Sequence, residues 1–319
     1  MGICALGVIM CHSLQHCTFP FIVTKLLSLG TQCVDIFLFL GGLGMYYSLN
    51  KPTLSIIKWY KTRLIRVVLP YLVAAIPFYI WFTVYNGEEI GNFILYVSSI
   101  SFWTKHIGMW YVDLLIPLYL LTPLFAKLID GVEKRWIPTT VLVAFFIFLS
   151  IPIYNDRIDN STLCDVITNF QFVMCRIPLY ILGYYSGYYV KKGEKVRSSF
   201  LIILLLIFAG NILVSHIFSG IYIYIPFSIF LLFSFCIILR FLNNKGISIN
   251  ILKKCGELSL ELYLANCVLV PLLFSFEYKV GNVDLSYGNY FYYLLVVIMN
   301  FPLAFVIHII SEKIKGGSK

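Results

Sequence analysis

Long apolar runs alternate with short polar or turn-forming stretches along the whole chain. A helix needs about 20 consecutive apolar residues to cross the hydrocarbon core of a bilayer. The sequence divides into ten such runs, at 1–17, 31–48, 65–84, 109–126, 137–153, 170–190, 198–215, 221–239, 256–276 and 289–311. The pattern predicts an all-α integral membrane protein, a bundle of about ten transmembrane helices.

The composition excludes most soluble classes of protein. Hydrophobic residues make up 60% of the chain and charged residues 12%, and the mean hydropathy is +0.87. A soluble protein carries about 25% charged residues, so a cytosolic enzyme, a secreted disulfide scaffold and a disordered chain are excluded. The nine cysteines form no C-x-x-C pair, and neither a bound metal nor a nucleic-acid partner is expected.

Positive charge gathers in alternate loops. Of the 24 Lys and Arg residues, 19 lie in one set of loops and four in the other, and Arg176 lies inside a run. Because loops rich in Lys and Arg stay in the cytoplasm, both termini are predicted to be cytoplasmic.

The loops between the runs are too short to fold alone, so residues 1–319 are predicted to form a single transmembrane domain. The first run begins at Met1 without a basic leader, and we expect its helix to be truncated. The apolar piece from Phe93 to Phe102 is too short to cross, so we expect it to lie in the interface or to re-enter the bilayer.

Ionisable side chains inside apolar runs are costly, and they are therefore the first candidates for function. His12 lies in such a run beside Ser13, and imidazole is the side chain best matched to proton transfer near neutral pH. For the carboxylates the alternative is structural, an ion pair with Lys or Arg on another helix. The candidates in the later runs are Asp35, Asp113, Arg176 and Glu261.

Two further groups near the last runs have plainer interpretations. Glu257 and Glu261 are spaced i,i+4, which predicts that they share one helix face. His308, near the end of the final run, is interpreted as an interfacial group.

A basic segment precedes the third run. Arg63 and Arg66 are spaced i,i+3, which places both on one helix face at the cytoplasmic end of that run, with Lys61 close by. Guanidinium groups so placed are suited to hold phosphates bidentately. The alternative is a role in topology or in binding anionic membrane lipids.

The sequence resembles the membrane-bound acyltransferase family 3, the bacterial envelope O-acyltransferases. Residues 2–13 are similar to the family's opening R-G-I-A-x-x-x-V-x-x-x-H-S, and residues 34–42 to its V-D-x-F-F-x-x-S-G. Residues 61–70 resemble K-R-x-x-R-I-x-P, and residues 110–123 the helix that begins with W-F/Y. Later motifs follow at 176–183 and 256–264, so the resemblance covers nearly the whole chain.

The resemblance implies an enzyme of the bacterial inner membrane that moves an acyl group, usually acetyl, from cytoplasmic acyl-CoA to a hydroxyl of an envelope glycan or polysaccharide. His12 matches the family's essential histidine, and Arg63 and Arg66 match its arginine pair near the CoA phosphates. The expected roles are general base or acyl carrier for His12, with Asp35 beside it, and CoA anchoring for Arg63, Arg66 and Lys61. The substrate channel is expected to be lined by Trp110, Asp113, Arg176 and Glu261.

Four departures from the family's pattern and one rival function remain. Gly41 stands in place of the usual Ser, Asn266 where the family often has His, and Leu115 where one subgroup has a Glu. The family's pattern has Arg eleven residues before the histidine, where this chain has Met1. The rival function is a transporter or flippase for a glycan or lipid intermediate, which is expected to show inverted repeats and broken half-helices that the sequence does not reveal. Membrane lipids and a second copy of the chain are the further partners expected.

Overall fold

The protein is known as a computed structural model that describes residues 1–17, 19–51, 55–105, 107–150, 161–194, 225–279 and 290–317. The described part is helical, as expected where lipid offers no partners and every backbone N–H must be bonded within its own segment. In chain order the helices are α1 (Gly2–His12), α2 (Phe21–Ser28), α3 (Gly30–Leu49), α4 (Ile56–Asn86), α5 (Ile90–Val97), α6 (Ile100–Lys105), α7 (Trp110–Asp130), α8 (Trp136–Leu149), α9 (Ser161–Met174), α10 (Ile177–Lys191), α11 (Ile225–Asn244), α12 (Asn250–Glu257), α13 (Ser259–Lys279) and α14 (Tyr290–Gly317). A short 3₁₀ helix, Ser13–His16, follows α1.

Six stretches of the described chain are long and apolar enough to span a membrane, and the bent pair α12–α13 makes a seventh. Two shorter apolar helices, α1 and α8, also coincide with predicted runs. These stretches confirm an all-α membrane protein. The predicted run at 198–215 lies outside the described residues, so the count of ten and the cytoplasmic termini stay predictions.

The structure corrects two local predictions. α4 begins at Ile56, nine residues before the predicted start of the third run, so the basic segment is helical. Glu257 and Glu261 do not share a helix face, because α12 ends at Glu257 and α13 leaves it at an angle of 72°. The short connection from Phe93 to Phe102 consists of α5 and α6, neither of which is long enough to cross.

The chain divides into two compact units, which are described separately. The first contains residues 1–34, 65–98 and 246–319, and the second contains residues 35–64 and 99–245. In the first unit α1 packs closely on α12, since a Cβ at Gly2 would overlap the carbonyl oxygen of Leu252. The Tyr293 hydroxyl of α14 donates a hydrogen bond of 3.1 Å to the carbonyl of Met10, which ties the end of α1 to α14.

In the second unit α10 is largely buried, and it lies against α3 at two glycines. A Cβ at Gly42 would overlap the carbonyl oxygen of Tyr180, and a Cβ at Gly183 would overlap that of Phe39. Small residues let membrane helices approach this closely. The Tyr180 hydroxyl is hydrogen-bonded to Thr122 of α7, which joins a third helix to the pair.

This packing predicts opposite effects for two substitutions on α3. Gly42→Ala forces α3 and α10 apart, and we expect it to lower the thermal unfolding midpoint, with a cost of about 1–3 kcal/mol or more from overpacking. Gly44→Ala meets no atom within 4 Å, so it should be neutral or stabilising, because alanine favours the helix. Thermal unfolding of the detergent-solubilised variants measures both. Equal midpoints would contradict the close approach of α3 and α10.

Candidate functional site

His12 is the last residue of α1, in the first unit, where the chain changes from an α-helix to a 3₁₀ helix. Its half-buried imidazole lies beside the side chain of Asn266 on α13. Burial of this kind favours the neutral ring, and a neutral imidazole is the form that is able to accept a proton. The neighbouring Ser13 hydroxyl donates to the carbonyl of Ile9 at 2.8 Å and so stays with its own helix.

Asn266 is fully buried, and neither atom of its amide makes a complete hydrogen bond within the described part of the chain. An amide of this kind has donors and an acceptor that remain available to an adjacent imidazole. The sequence marks Asn266 only as a departure from the family's pattern and does not predict it as a site residue. A polar residue in the middle of an apolar run is the signal that points to it.

Asp35 and Arg176 form an ion pair in the second unit. The Nε atom of Arg176 lies 3.7 Å from Oδ1 of Asp35, and both side chains are largely buried. Ser228 donates to the other carboxylate oxygen at 3.4 Å. Asp35 stands 14 residues from each end of its candidate span, and Arg176 stands 14 and 15 residues from the ends of its own, so the pair is at mid-span.

A local break in the helix positions Arg176. α9 ends at Met174 and α10 begins at Ile177, with Pro178 in the first turn of α10. Pro178 has no N–H to donate to the carbonyl of Met174, four residues earlier, and its ring crowds that carbonyl, whereas a missing N–H is tolerated in the first turn of a helix. The guanidinium carbon of Arg176 lies 5.1 Å from the ring centre of Trp110 and 4.3 Å from that of Phe172. The two rings pack edge to face at 5.0 Å.

Asp113 is buried in the first turn of α7, also in the second unit. It lies beside Gly108 and Ser99, but neither carboxylate oxygen makes a complete hydrogen bond within the described residues. The ion-pair alternative therefore holds for Asp35, whereas Asp113 has no ion pair among the described residues.

Glu261 pairs with a histidine rather than with Lys or Arg. In the first unit, its Oε1 lies 3.1 Å from Nδ1 of His308, which has a half-exposed side chain. Glu312, one turn further along α14, lies within electrostatic range of His308 and of Arg66. His308, interpreted as an interfacial group, is therefore part of a charged cluster that includes Arg66.

Arg63 and Arg66 both belong to α4, one turn apart, and Lys61 on the same helix is exposed. In the second unit, Nη2 of Arg63 donates to the Ser48 hydroxyl at 2.6 Å, and the Trp59 indole donates to the same oxygen at 2.7 Å. Arg63 is thus held by α3, whereas Arg66 is exposed.

The predicted site residues are divided between the two units. The first unit contains His12, Arg66 and Glu261, and the second contains Lys61, Arg63, Asp35, Trp110, Asp113 and Arg176. A cavity of about 320 Å³ in the first unit, lined in part by Lys254, Cys255 and Phe301, includes none of them. Within the described residues no three His, Cys, Asp or Glu side chains are placed to hold a metal ion.

The ion pair at mid-span predicts strong coupling between Asp35 and Arg176. Arg176→Leu leaves a buried carboxylate without its partner, and we expect it to cost about 3–5 kcal/mol of unfolding free energy. Asp35→Asn combined with Arg176→Leu should cost less than Arg176→Leu alone, because no unpaired charge remains. A double-mutant cycle on the detergent-solubilised protein measures the coupling. Additive costs would show that the two groups do not stabilise each other.

Comparison with known proteins supplies the identity of the family. Residues 2–309 match the family model of acyltransferase family 3, which is described as an acyltransferase domain. No curated protein and no solved structure gives a match. The match covers essentially the whole chain and includes every predicted site residue. The chain therefore belongs to acyltransferase family 3 and is a multi-pass membrane acyltransferase.

Proposed function

We propose that the protein is an O-acyltransferase of the bacterial inner membrane that transfers an acyl group, acetyl in the simplest case, from cytoplasmic acyl-CoA to a hydroxyl of an envelope glycan or exopolysaccharide. The observation that carries the proposal is His12, which ends α1 beside the buried amide of Asn266 in a chain that belongs to an acyltransferase family. Acyl transfer to a hydroxyl needs a group that accepts the hydroxyl proton, and imidazole does this near neutral pH.

In this mechanism His12 accepts the proton of the acceptor hydroxyl as that oxygen attacks the thioester carbonyl. The carbon–sulfur bond then breaks, and the imidazolium of His12 gives the proton to the departing thiolate of CoA, directly or through water, so that the neutral imidazole is regenerated. The amide of Asn266, which lies beside the ring, is placed to orient it. Imidazole is also able to carry the acyl group itself, in which case acceptor and donor react in two steps.

The donor is assigned to the basic part of α4. Arg63 is held by its hydrogen bond to Ser48, and Arg66 and Lys61 are exposed. The segment therefore offers one anchored and two exposed cations to the CoA diphosphate. This segment lies in the loops predicted to be cytoplasmic, where acyl-CoA is found.

The acceptor is assigned to the second unit around Arg176. Trp110 and Phe172 present aromatic rings beside a guanidinium, and Asp113 contributes buried carboxylate oxygens that lack complete hydrogen bonds. Rings that pack on a sugar face and charged groups that bind its hydroxyls are suited to a glycan. Asp35 is engaged with Arg176, so we assign it an orienting role rather than a catalytic one.

A second candidate function, transport of a glycan or lipid intermediate, is favoured by the break at Cys175–Arg176. Broken helices with charged groups at mid-span are a feature of transporters. The two functions differ in one product, because only the acyltransferase forms an ester.

The test is transfer of label from radiolabelled acetyl-CoA in membranes that contain the protein. We expect label in glycan or lipid that hydroxylamine releases, as esters do. His12→Ala should reduce the rate by at least about 100-fold, the lower bound for loss of a general base. Ser13→Ala is the matched control and should retain activity. Among the described residues, the Ser13 hydroxyl donates its hydrogen bond to the carbonyl of Ile9 on its own helix.

Membrane insertion of each variant is checked by its yield and elution after solubilisation. Unchanged transfer by an inserted His12→Ala variant would remove His12 from the mechanism. Absence of ester-linked label from every inserted version, with glycan movement across the membrane, would favour the transporter.

A further inference from the structure

A polar network in the second unit connects the ends of several helices. At the end of α7, Asp130 accepts a hydrogen bond of 2.8 Å from the Tyr184 hydroxyl and pairs with Arg135 at 2.9 Å. Tyr184 is also in contact with Asn50, two residues beyond Ser48 on the chain. Ser48, near the end of α3, accepts the hydrogen bond of Arg63 at 2.6 Å, so the proposed donor anchor and Asn50 are both attached at that end of α3.

Two cations meet at a single ring at the far end of this network. The guanidinium carbon of Arg135 lies 3.8 Å from the ring centre of Tyr188, and Nζ of Lys192 lies 4.4 Å from the same point. The two cations are therefore at most about 8 Å apart. Like charges held this close repel each other.

The local acids compensate this charge only in part. Asp130 pairs with Arg135, and the exposed Glu194 is within electrostatic range of Lys192 without an ion pair between them among the described residues. Contact with Tyr188 raises the pKa of Lys192, so its ammonium is charged at neutral pH. Lys134 and Lys191 add two exposed positive charges beside the pair, and Glu133 adds one exposed negative charge, so the surroundings remain positive.

The geometry is suited to a phosphate monoester. Each terminal oxygen of a phosphate accepts a charge-assisted hydrogen bond at about 2.8 Å, so one phosphate is able to contact two cations whose separation is at most about 8 Å. Arginine supplies a planar fork and lysine a point charge, a combination common in phosphate sites. Arg135, Lys192 and Arg63 all lie in the loops predicted to face the cytoplasm.

We propose that Arg135 and Lys192 bind the 3′-phosphate of the donor's nucleotide, with Arg63 as the anchor of its diphosphate. The inference rests on acyl-CoA as the proposed donor. It gives a binding site to the 3′-phosphate, which the arginines of α4 leave unbound. Tyr188 is a positioning residue that keeps the two cations together. The same cations are able to bind a lipid phosphate, and the test separates these two sources.

The experiment compares binding of CoA and of 3′-dephospho-CoA to the purified full-length protein by calorimetry. The protein is held in nanodiscs of phosphatidylcholine, which has no net negative charge. We expect the wild type to bind CoA about tenfold or more tightly than 3′-dephospho-CoA, the factor that one charge-assisted contact supplies. Arg135→Gln and Lys192→Gln should each reduce this ratio, and together they should bring it close to one.

The matched control is Lys134→Gln, an exposed neighbour of Arg135 that makes none of these contacts, and it should keep the wild-type ratio. Affinity for 3′-dephospho-CoA should be unchanged in all variants, since a merely structural loss would weaken both ligands alike. A second series with phosphatidylglycerol in the nanodiscs shows whether anionic lipid competes.

Equal binding of the two ligands by the wild type would overturn the inference. So would a ratio that survives both substitutions, or variants that change only the effect of phosphatidylglycerol. Because the readout is binding, the inference fails or stands separately from acyl transfer: discrimination without ester formation contradicts the proposed enzyme, and ester formation without discrimination contradicts only this site.

Discussion

The cost of placing charge in a bilayer is the constraint on which the second unit depends. Asp35 and Arg176 stand near the middle of their spans, where neither is tolerated without a partner. Arg176 lies at the break between α9 and α10. α3 lies close enough to this break for the Asp35 carboxylate to reach the guanidinium. Gly42 and Gly183 allow that approach. The same groups thus satisfy a requirement for stability and form part of the candidate acceptor site.

Polar groups that are less fully paired mark the positions suited to chemistry. In the first unit, the buried amide of Asn266 lies next to the imidazole of His12 and makes no complete hydrogen bond within the described residues. In the second unit, both buried oxygens of Asp113 likewise make no complete hydrogen bond within the described part of the chain. A protein that needs only stability satisfies such groups internally. Their incomplete bonding is what a site that accepts a hydroxyl, or gives up a proton to it, requires.

The hydropathy pattern predicted the helical membrane fold because a lipid environment leaves the backbone no other structure. It also pointed to Arg176 and Asp35, since a charge in an apolar run is conspicuous. It did not predict the bend after Glu257 or the early start of α4, because both depend on tertiary contacts rather than on apolar length. Ser228 went unrecognised because a single serine barely lowers the hydropathy of a run, and Asn266 stood out only as a departure from the family's pattern because it carries no charge. The pairing of Glu261 with His308 depends on how α13 and α14 pack, which one sequence does not reveal.

The proposed reaction is directional. The donor binds at the face of the protein that is rich in Lys and Arg, and the acyl group is delivered to a hydroxyl. Sealed vesicles of opposite orientation test this most directly, because acetyl-CoA does not cross a membrane. Radiolabelled acetyl-CoA added outside should label an acceptor in inverted vesicles, whose cytoplasmic face is exposed, and should label right-side-out vesicles only after they are opened. Equal labelling of the two sealed preparations, or none in either after opening, would contradict a membrane acyltransferase that draws acyl-CoA from the cytoplasm.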